Sequence, residues 1–516
     1  MSGDGNLNIL SSLKKVSGWT GISRLFGLIR DMATTNLLGA SVFHDIFVVT
    51  LKIPNLFRRF FAEGAFNQAF IPVYSDYHAE NSDQKTKDFI NALAGNFLII
   101  LFLFIAVVLL ITPVFILIFA PGFYLDDYKR EISVDVLRIM FPYLALISLV
   151  AFAGGIQNTH NRFSLPAFTP LIFNACLIFA ALIIAPKYDL PIYVLAWGVL
   201  IAGFAQLVIQ LFPLKQIDRL PVPKFNLNNQ GTRKVFKLII PAILAGGIMQ
   251  INLLIDTIFA SLLQTGSPTW LYVSDRLIQF PMGIFAIAIG TVLLPTLSKI
   301  DISKDMNGFI DLVKKGQRFV LFIGIPSFIG LALCSSDLLI TIFLRGEFKA
   351  YDVNQASLSL IAFSFGLPFF MLMKVLTPAF FARKDTKTPM YIALLSLFLN
   401  AFLNYILAFV LNYGHVGIAI GSSISAVVSV IILELILVKQ GIVNLYNPFN
   451  RFNFSILVPS LVLIAFLYFL SEHISFLQLS MMSKIIVLAL KVFISIGIYF
   501  SLSRLIYGKP LKEIFN

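Results

Sequence analysis

The sequence predicts an all-α polytopic membrane protein, and its composition, a series of apolar segments and an internal repeat support that fold class. Of 516 residues, 58% are hydrophobic and 13% charged, and the mean hydropathy is +0.87. A soluble protein would carry about 25% charged residues. The composition therefore excludes an ordinary soluble enzyme and a disordered chain.

Apolar segments recur along the chain at lengths near the roughly 20 residues that a membrane helix needs. We expect about 14 transmembrane helices, of which the first two are weakly hydrophobic and carry several charges. An even number places both termini on one side of the membrane. The predicted spans are 16–38, 45–73, 89–119, 133–157, 166–186, 191–212, 235–263, 270–298, 310–333, 353–381, 388–411, 414–438, 453–471 and 484–507.

The distribution of Lys and Arg predicts the orientation. The termini and the even-numbered connections hold 24 of these residues, whereas the opposite face holds six. Short loops rich in Lys and Arg stay in the cytoplasm, so both termini are predicted to be cytoplasmic. The net charge of +13 is thus mainly a topology signal, and cations scattered over short loops disfavour nucleic-acid binding.

An internal repeat organises the spans. The number of residues from Pro72 to Pro295 equals the number from Pro166 to Pro389. We call this separation the repeat offset. The same offset superposes span 1 on span 7, so each half has six spans and the repeat is parallel. We predict an N-terminal lobe (1–220), a C-terminal lobe (221–440) and two additional helices (441–516). Two such lobes suit a secondary transporter.

Motifs for other chemistry do not occur in the sequence. It has no GxxxxGK[ST] phosphate loop and no GxSxG elbow, so we expect neither ATP hydrolysis nor another enzymatic activity. Cys176 and Cys334 lie far apart and the five histidines are isolated, which argues against a disulfide framework or a zinc site.

Charged residues inside predicted spans are the strongest functional signal. A central Arg or Lys costs about 2.5–3.5 kcal/mol to insert, so it usually faces a watery cavity and has a partner. Spans 1, 2 and 8 place six cations near four acids, which leaves a surplus of two positive charges for an anionic ligand. These residues are Arg24, Arg30, Lys52, Arg58, Arg59 and Arg276, and Asp31, Asp45, Glu63 and Asp275.

Spacing indicates partial pairing. Asp45, Lys52 and Arg59 recur every seven residues on one helix face, Arg59 and Glu63 are i,i+4 partners, and Asp31 lies seven residues from Arg24. We expect Pro54 to bend or break span 2 and to turn Arg58 inward. Two interpretations remain: structural salt bridges or snorkelling side chains, or arginines that bind phosphate oxygens bidentately.

Five segments resemble the MurJ/MviN family of lipid II flippases. They are SRLFGLIRD (23–31), KIPNLFRRFFAEGAFNQAFIPV (52–73), NRFSLPAF (161–168), DRLIQFPMG (275–283) and the stretch 374–389. They occur in both halves in the family's order, and the span 2 motif is long enough to be specific.

The resemblance implies a fourteen-helix transporter of the multidrug/oligosaccharidyl-lipid/polysaccharide exporter superfamily. It would move lipid II, the undecaprenyl-pyrophosphate-linked peptidoglycan precursor, from the cytoplasmic to the periplasmic leaflet of the bacterial inner membrane. Spans 13 and 14 would form a groove for the lipid tail. The implied partners are lipid II, membrane lipids and, as a further candidate, cell-wall synthesis proteins. The substrate-binding residues are then Arg24, Arg30, Lys52, Arg58 and Arg276.

The second half offers a candidate cation site. Asp256 lies in an apolar run, and Asn400 and Asn404 are one helical turn apart in span 11. A carboxylate with amide oxygens suits a sodium-like ion, and the resemblance favours such a site; the alternative is hydrogen bonding between helices. We expect no other cofactor. Lys374 in span 10 either lines the cavity or pairs with an acid.

Two further functions remain open. The same architecture could export drugs or another polyprenyl-linked glycan, although a cationic cavity would repel typical cationic drugs. A membrane scaffold without transport activity is the alternative from another class, but a scaffold gains nothing from buried surplus cations.

Overall fold

The computed structural model describes residues 3–59, 61, 65–80, 82–302, 304–443 and 451–507, with the backbone alone for 3–17, 65, 68, 80, 241–253 and 287. Across these ranges the regular structure is helical, which confirms the all-α class. The chain forms two compact units, Met1–Thr265 and Gly266–Asn516.

The first unit contains eleven α-helices in its described part. They are α1 (Gly3–Leu38), α2 (Val42–Arg58), α3 (Ala65–Glu80), α4 (Asp83–Leu110), α5 (Thr112–Phe119), α6 (Pro121–Tyr124), α7 (Asp127–Met140), α8 (Tyr143–Thr159), α9 (Ser164–Phe179), α10 (Pro191–Gln216) and α11 (Gln230–Ser261).

The second unit contains nine α-helices in its described part. They are α12 (Ser267–Pro281), α13 (Ile287–Ser298), α14 (Met306–Leu333), α15 (Ser335–Ile342), α16 (Ala350–Phe381), α17 (Lys387–Tyr405), α18 (Gly414–Lys439), α19 (Arg451–His473) and α20 (Met481–Tyr507).

Eleven helical segments of the described chain are long and apolar enough to cross a membrane. They do not include α1, the α2–α3 pair or α11, which correspond to predicted spans 1, 2 and 7. Spans 1 and 2 carry the charges noted above, and these charges lower their mean hydropathy. The protein is therefore a multi-pass membrane protein, and the count of fourteen spans stays a prediction.

The repeat offset recurs in the helix bounds. Residues 83–110 of α4 correspond to 306–333 of α14, and residues 191–216 of α10 correspond to 414–439 of α18. The turns repeat as well, because Asn161 and Lys384, which the same offset relates, both have positive φ angles, of 59° and 62°. The repeat predicted from two pairs of prolines is thus present in the local structure.

Helix α2 excludes a break of span 2 at Pro54, whereas a bend there and the inward turn of Arg58 stay predictions. It continues through Pro54 and ends at Arg58, so the interruption comes four residues later than expected. Pro54 removes one backbone N–H but can remain inside a helix when neighbouring groups satisfy the backbone. Arg59 and Phe61 lie in a π-helical turn, and the second unit has a π-helical turn at Met282–Ala286, which the repeat offset relates to the first.

Helix packing within the first unit positions the charged residues. Helix α9 packs against both α1 and α10, and α11 packs along α3. Helix α11 therefore belongs to the first compact unit, although its sequence opens the second repeat. The lobe boundary near residue 220 describes the repeat and stays a prediction.

In the second unit, the two additional helices pack on the body of the unit. Tyr499 on α20 donates a hydrogen bond from its hydroxyl to the carbonyl oxygen of Phe322 on α14, over 2.9 Å. Lys491 on α20 forms an ion pair with Asp337 on α15, with 2.7 Å between Nζ and Oδ2. Lys491 is buried, so it is a structural charge and does not snorkel to an interface.

Candidate functional site

Arg30 lies in a buried polar cluster between α1 and α9. Its Nε and Nη2 atoms donate to Oδ1 of Asp31 over 3.0 and 2.6 Å, and Nη1 donates to Oδ1 of Asn174 over 3.1 Å. The guanidinium carbon lies 5.8 Å from the centroid of the Phe173 ring. Asp31 thus pairs with its neighbour Arg30, whereas its spacing in the sequence suggests Arg24.

Asn174 is a site residue that the sequence analysis missed. Besides accepting from Arg30, its Nδ2 donates to the backbone carbonyl of Ser23 on α1 over 3.1 Å. Helix α9 passes close to Gly27, where an added Cβ would lie 3.7 Å from this Nδ2. The sequence does contain a signal for this residue, because Asn174 is polar and lies inside an apolar span. Such residues usually form hydrogen bonds to another helix.

Arg24 has different surroundings. It is exposed and lines a cavity of about 340 Å³ together with Ser23 and Asn158. Phe163 and Pro170 form apolar parts of the wall. Helix α1 is uninterrupted between Arg24 and Arg30, and the two arginines occupy separate environments.

Lys52 and Arg58 occupy successive turns of α2. Lys52 donates from Nζ to the hydroxyl of Thr257 on α11 over 2.9 Å, a contact that the sequence did not predict. Asp45 in the first turn of α2 is buried, Arg58 is half-buried and Arg59 is exposed. The predicted Arg59 partner, Glu63, lies outside the described residues.

The remaining predicted charges lie on the second unit. Arg276 on α12 donates from Nη2 to the Tyr272 hydroxyl over 2.9 Å, and its guanidinium lies 4.9 Å from the centroid of the Tyr272 ring. Asp275 accepts a hydrogen bond from Gln279 one turn further along the helix. Lys374 on α16 is exposed.

The three candidate sodium ligands divide between the units. Asn400 and Asn404 are buried on α17 and face α18, where the Ser422 hydroxyl lies 3.5 Å from Oδ1 of Asn400. Asp256 lies on α11 in the first unit, adjacent to Thr257, the partner of Lys52. No group of three or more His, Cys, Asp or Glu side chains suited to a metal occurs among the described residues.

These features define a class: a polytopic α-helical membrane protein of transporter type, with cationic side chains in its first helical unit. A solved structure described as "Lipid II flippase MurJ, inward closed conformation" has a TM-score of 0.79 at 26% identity, covering 97% of this chain and 99% of that one. An inward-facing multidrug MATE transporter has a TM-score of 0.64 at 13% identity, covering 81% and 94%, which shows likeness of fold alone.

The family model described as "Lipid II flippase MurJ" matches residues 34–496. A Vibrio cholerae relative described as a probable lipid II flippase MurJ is 39% identical over 437 residues, which is 83% of each chain. The Burkholderia cenocepacia lipid II flippase MurJ is 34% identical over 461 residues, or 89% of each chain. The chain belongs to the lipid II flippase MurJ family.

Proposed function

We propose that this protein moves lipid II from the cytoplasmic to the periplasmic leaflet of the inner membrane by alternating access. Family membership over residues 34–496 is the observation that carries the proposal. The chain would act without hydrolysing ATP, as expected of a secondary transporter, and both termini would be cytoplasmic. Cell-wall synthesis proteins are candidate partners.

The proposed substrate group is the pyrophosphate, bound by Arg24, Arg30, Lys52, Arg58 and Arg276. In this structure Arg30 contacts Asp31 and Asn174, and Lys52 contacts Thr257. A phosphate oxygen would exchange with Asp31 at the guanidinium, because both are oxygen anions that suit its planar fork. Such an exchange gives the ligand different affinities for two states, as a conformational shift requires.

The other predicted charges would act as partners within the cavity: Asp31, Asp45, Arg59, Glu63, Asp275 and Lys374. For the ion we propose sodium near Asn400 and Asn404, with Asp256 as the third candidate ligand. Sodium should then stabilise the purified protein more than lithium or choline does, and Asn404→Ala should remove the difference. Equal stabilisation by all three cations would exclude the site.

The alternative function is export of another polyprenyl-linked glycan or of drugs. The MATE likeness at 13% identity concerns the fold alone, and no contact of the described residues favours a drug. Lipid II is therefore the better supported substrate.

The direct experiment is depletion of the protein in cells without a second flippase, followed by measurement of the sidedness of lipid II. Lipid II should accumulate in the cytoplasmic leaflet and wall synthesis should stop. Normal exposure of lipid II at the outer leaflet after depletion would contradict the proposal.

The site is tested by complementation with Ala and Lys variants of the four arginines. Ala variants should fail at normal membrane abundance. Lys variants keep the charge but lose the bidentate fork, so they should also be impaired. Full complementation by all four Ala variants would place the substrate elsewhere.

A further inference from the structure

An extended segment between α10 and α11, residues 219–227, lies along α4; we call it the strap. The N–H of Val222 donates to Oδ1 of Asn91 over 2.7 Å, and the N–H of Lys224 donates to the carbonyl oxygen of Asn91 over 2.9 Å. Asn96 accepts from the N–H of Asn226 over 3.2 Å and donates to its carbonyl oxygen over 2.8 Å. Two asparagines of α4 therefore fix the strap's register.

Gly95 permits this close approach. A Cβ atom at Gly95 would lie 2.3 Å from the carbonyl oxygen of Lys224, which is backbone and has no room to yield. The beginning of the strap is anchored as well, because Arg219 pairs with Asp83 and the preceding Asp218 pairs with Lys87. The strap is thus a docked element of the first unit.

The sequence of α4 indicates how deep the strap reaches. Its charged residues end at Asp88, and residues 89–110 are apolar apart from Asn91 and Asn96. This stretch extends about 33 Å, close to the roughly 30 Å of the hydrocarbon core. Apolar residues continue from α4 into α5 as far as Phe119, so the hydrocarbon core begins between Phe89 and Phe97, the part of α4 on which the strap docks.

The strap's backbone suits that depth. In hydrocarbon an unpaired backbone N–H costs several kcal/mol, so irregular chain needs partners. Pro221 and Pro223 have no N–H, and the alternating N–H groups of Val222, Lys224 and Asn226 each bond to α4.

The strap's apolar side chains face outward. Leu220, Val222, Phe225 and Leu227 are 44%, 58%, 65% and 54% exposed. Four exposed apolar residues on a short segment would be costly in water, since each large side chain contributes about 1.5–3 kcal/mol when buried. Lys224 is also exposed, and its long stem can carry the ammonium to a phosphate headgroup.

We propose that the strap is embedded in the membrane at the charged end of α4, and that its exposed apolar side chains contact phospholipid acyl chains. The α4 asparagines pair three of the strap's N–H groups and the prolines remove two more, which lowers the backbone penalty, and the apolar side chains supply the affinity. The proposal rests on the chain's spanning a membrane and is independent of the substrate.

The test uses the full chain with Cys176→Ser and Cys334→Ser, reconstituted in phosphatidylcholine–phosphatidylglycerol nanodiscs. A bimane label is placed at Phe225→Cys or, in a second variant, at Leu227→Cys. Its emission should fall with brominated phospholipid and resist aqueous iodide. Lys85→Cys, on the charged first turn of α4, is the matched control and should respond to iodide.

Quenching of both strap labels by iodide alone would overturn the proposal, because the strap would then lie in water. Shielding from both quenchers would also overturn it, because the side chains would then contact protein. Gly95→Val should displace the strap and increase iodide quenching at position 225. An unchanged response in that variant would contradict the docking on α4.

Discussion

At the residue scale, the environment of Arg30 differs most from the sequence expectation. The sequence predicts a ligand shared by Arg30 and Arg24, but the donors of Arg30 contact Asp31 and Asn174. A buried guanidinium needs such acceptors, because an isolated charge in low dielectric is very costly. Asp31 and Asn174 therefore hold the guanidinium of Arg30 in a fixed position.

Asn174→Leu should impair growth in a depletion strain more than it lowers protein abundance. The substitution removes the Arg30 acceptor and the bond to the Ser23 carbonyl, and hydrogen bonds to charged groups are worth about 1.5–3 kcal/mol. Complementation, with membrane levels measured in parallel, checks this expectation. Cys176→Ala, two residues further on α9, is the matched control. Full growth of Asn174→Leu at normal abundance would show that Arg30 does not depend on this contact.

Sequence alone identifies the charges but not their partners. Residue type and hydropathy are enough to select Arg30, Lys52 and Arg276, because a charge inside an apolar span stands out. The partners of Arg30 and Lys52, which are Asn174 and Thr257, lie on other helices, and a single sequence does not determine helix packing. Asp31 is adjacent to Arg30 in sequence, but seven-residue spacing favours Arg24 instead.

At the element scale, Lys491 and Asp337 fasten α20 to α15. The Lys491 side chain is 1% exposed and that of Asp337 is 13% exposed. Asp337→Leu should destabilise the purified protein by about 3–5 kcal/mol, because it leaves a buried cation without its partner. The double variant Asp337→Leu, Lys491→Met should recover most of this loss. Thermal unfolding in detergent measures both.

The matched control is Asp311→Ala, which breaks a more exposed ion pair in the same unit. In that pair, 3.0 Å separate Nζ of Lys315 from Oδ2 of Asp311. Exposed ion pairs contribute about 0–1 kcal/mol, so its unfolding temperature should change little. If the double variant is no more stable than Asp337→Leu, the loss of stability does not come from an unpaired Lys491, and the proposed pairing is contradicted.

Asp385, two residues before α17, accepts a hydrogen bond from the N–H of Thr388 in the first turn of this helix over 3.0 Å. That N–H, with the Thr388 hydroxyl, holds the pKa of Asp385 below its ordinary value. Asp385→Ala should lower stability by about 1 kcal/mol, as loss of a helix cap does. A carboxylate whose pKa is lowered by folding stabilises the folded state at pH values above its ordinary pKa. This stabilisation is lost as the pH falls through the pKa of the folded protein. The difference in unfolding temperature from the wild type should therefore shrink below about pH 4.

Lys387→Ala, at the exposed first residue of α17, is the control for that cap. Its unfolding temperature should follow the wild type at every pH. A difference between Asp385→Ala and wild type that stays constant down to about pH 3, below the ordinary pKa of an aspartate, would show that the carboxylate charge is not involved.

At the scale of the whole molecule, the repeat is the feature that the sequence predicts best. The constant repeat offset fixes the bounds of α14, α15 and α18 from those of α4, α5 and α10. Spans 1 and 2 are harder to assign, because α1 combines apolar and charged residues and α2 is a short helix that also carries charges, and neither is among the eleven spans of the described chain. Charged residues inside such helices need protein partners or a watery cavity.

The predicted topology rests on the contrast of 24 Lys and Arg on one face with six on the other. After Asn516, a reporter that works only in the cytoplasm should be active and one that works only in the periplasm should be inactive, because short loops rich in Lys and Arg are retained inside. A second fusion within the 343–349 turn between α15 and α16 should give periplasmic activity, since this turn lies on the face with few positive charges. Because five helices, α16 to α20, follow the turn, the two fusions together test the orientation and the odd number of spans between them. If both fusions gave periplasmic activity, an even number of spans would lie between the turn and Asn516. This result would contradict the odd number expected there, and one helix of the additional pair would then not cross the membrane.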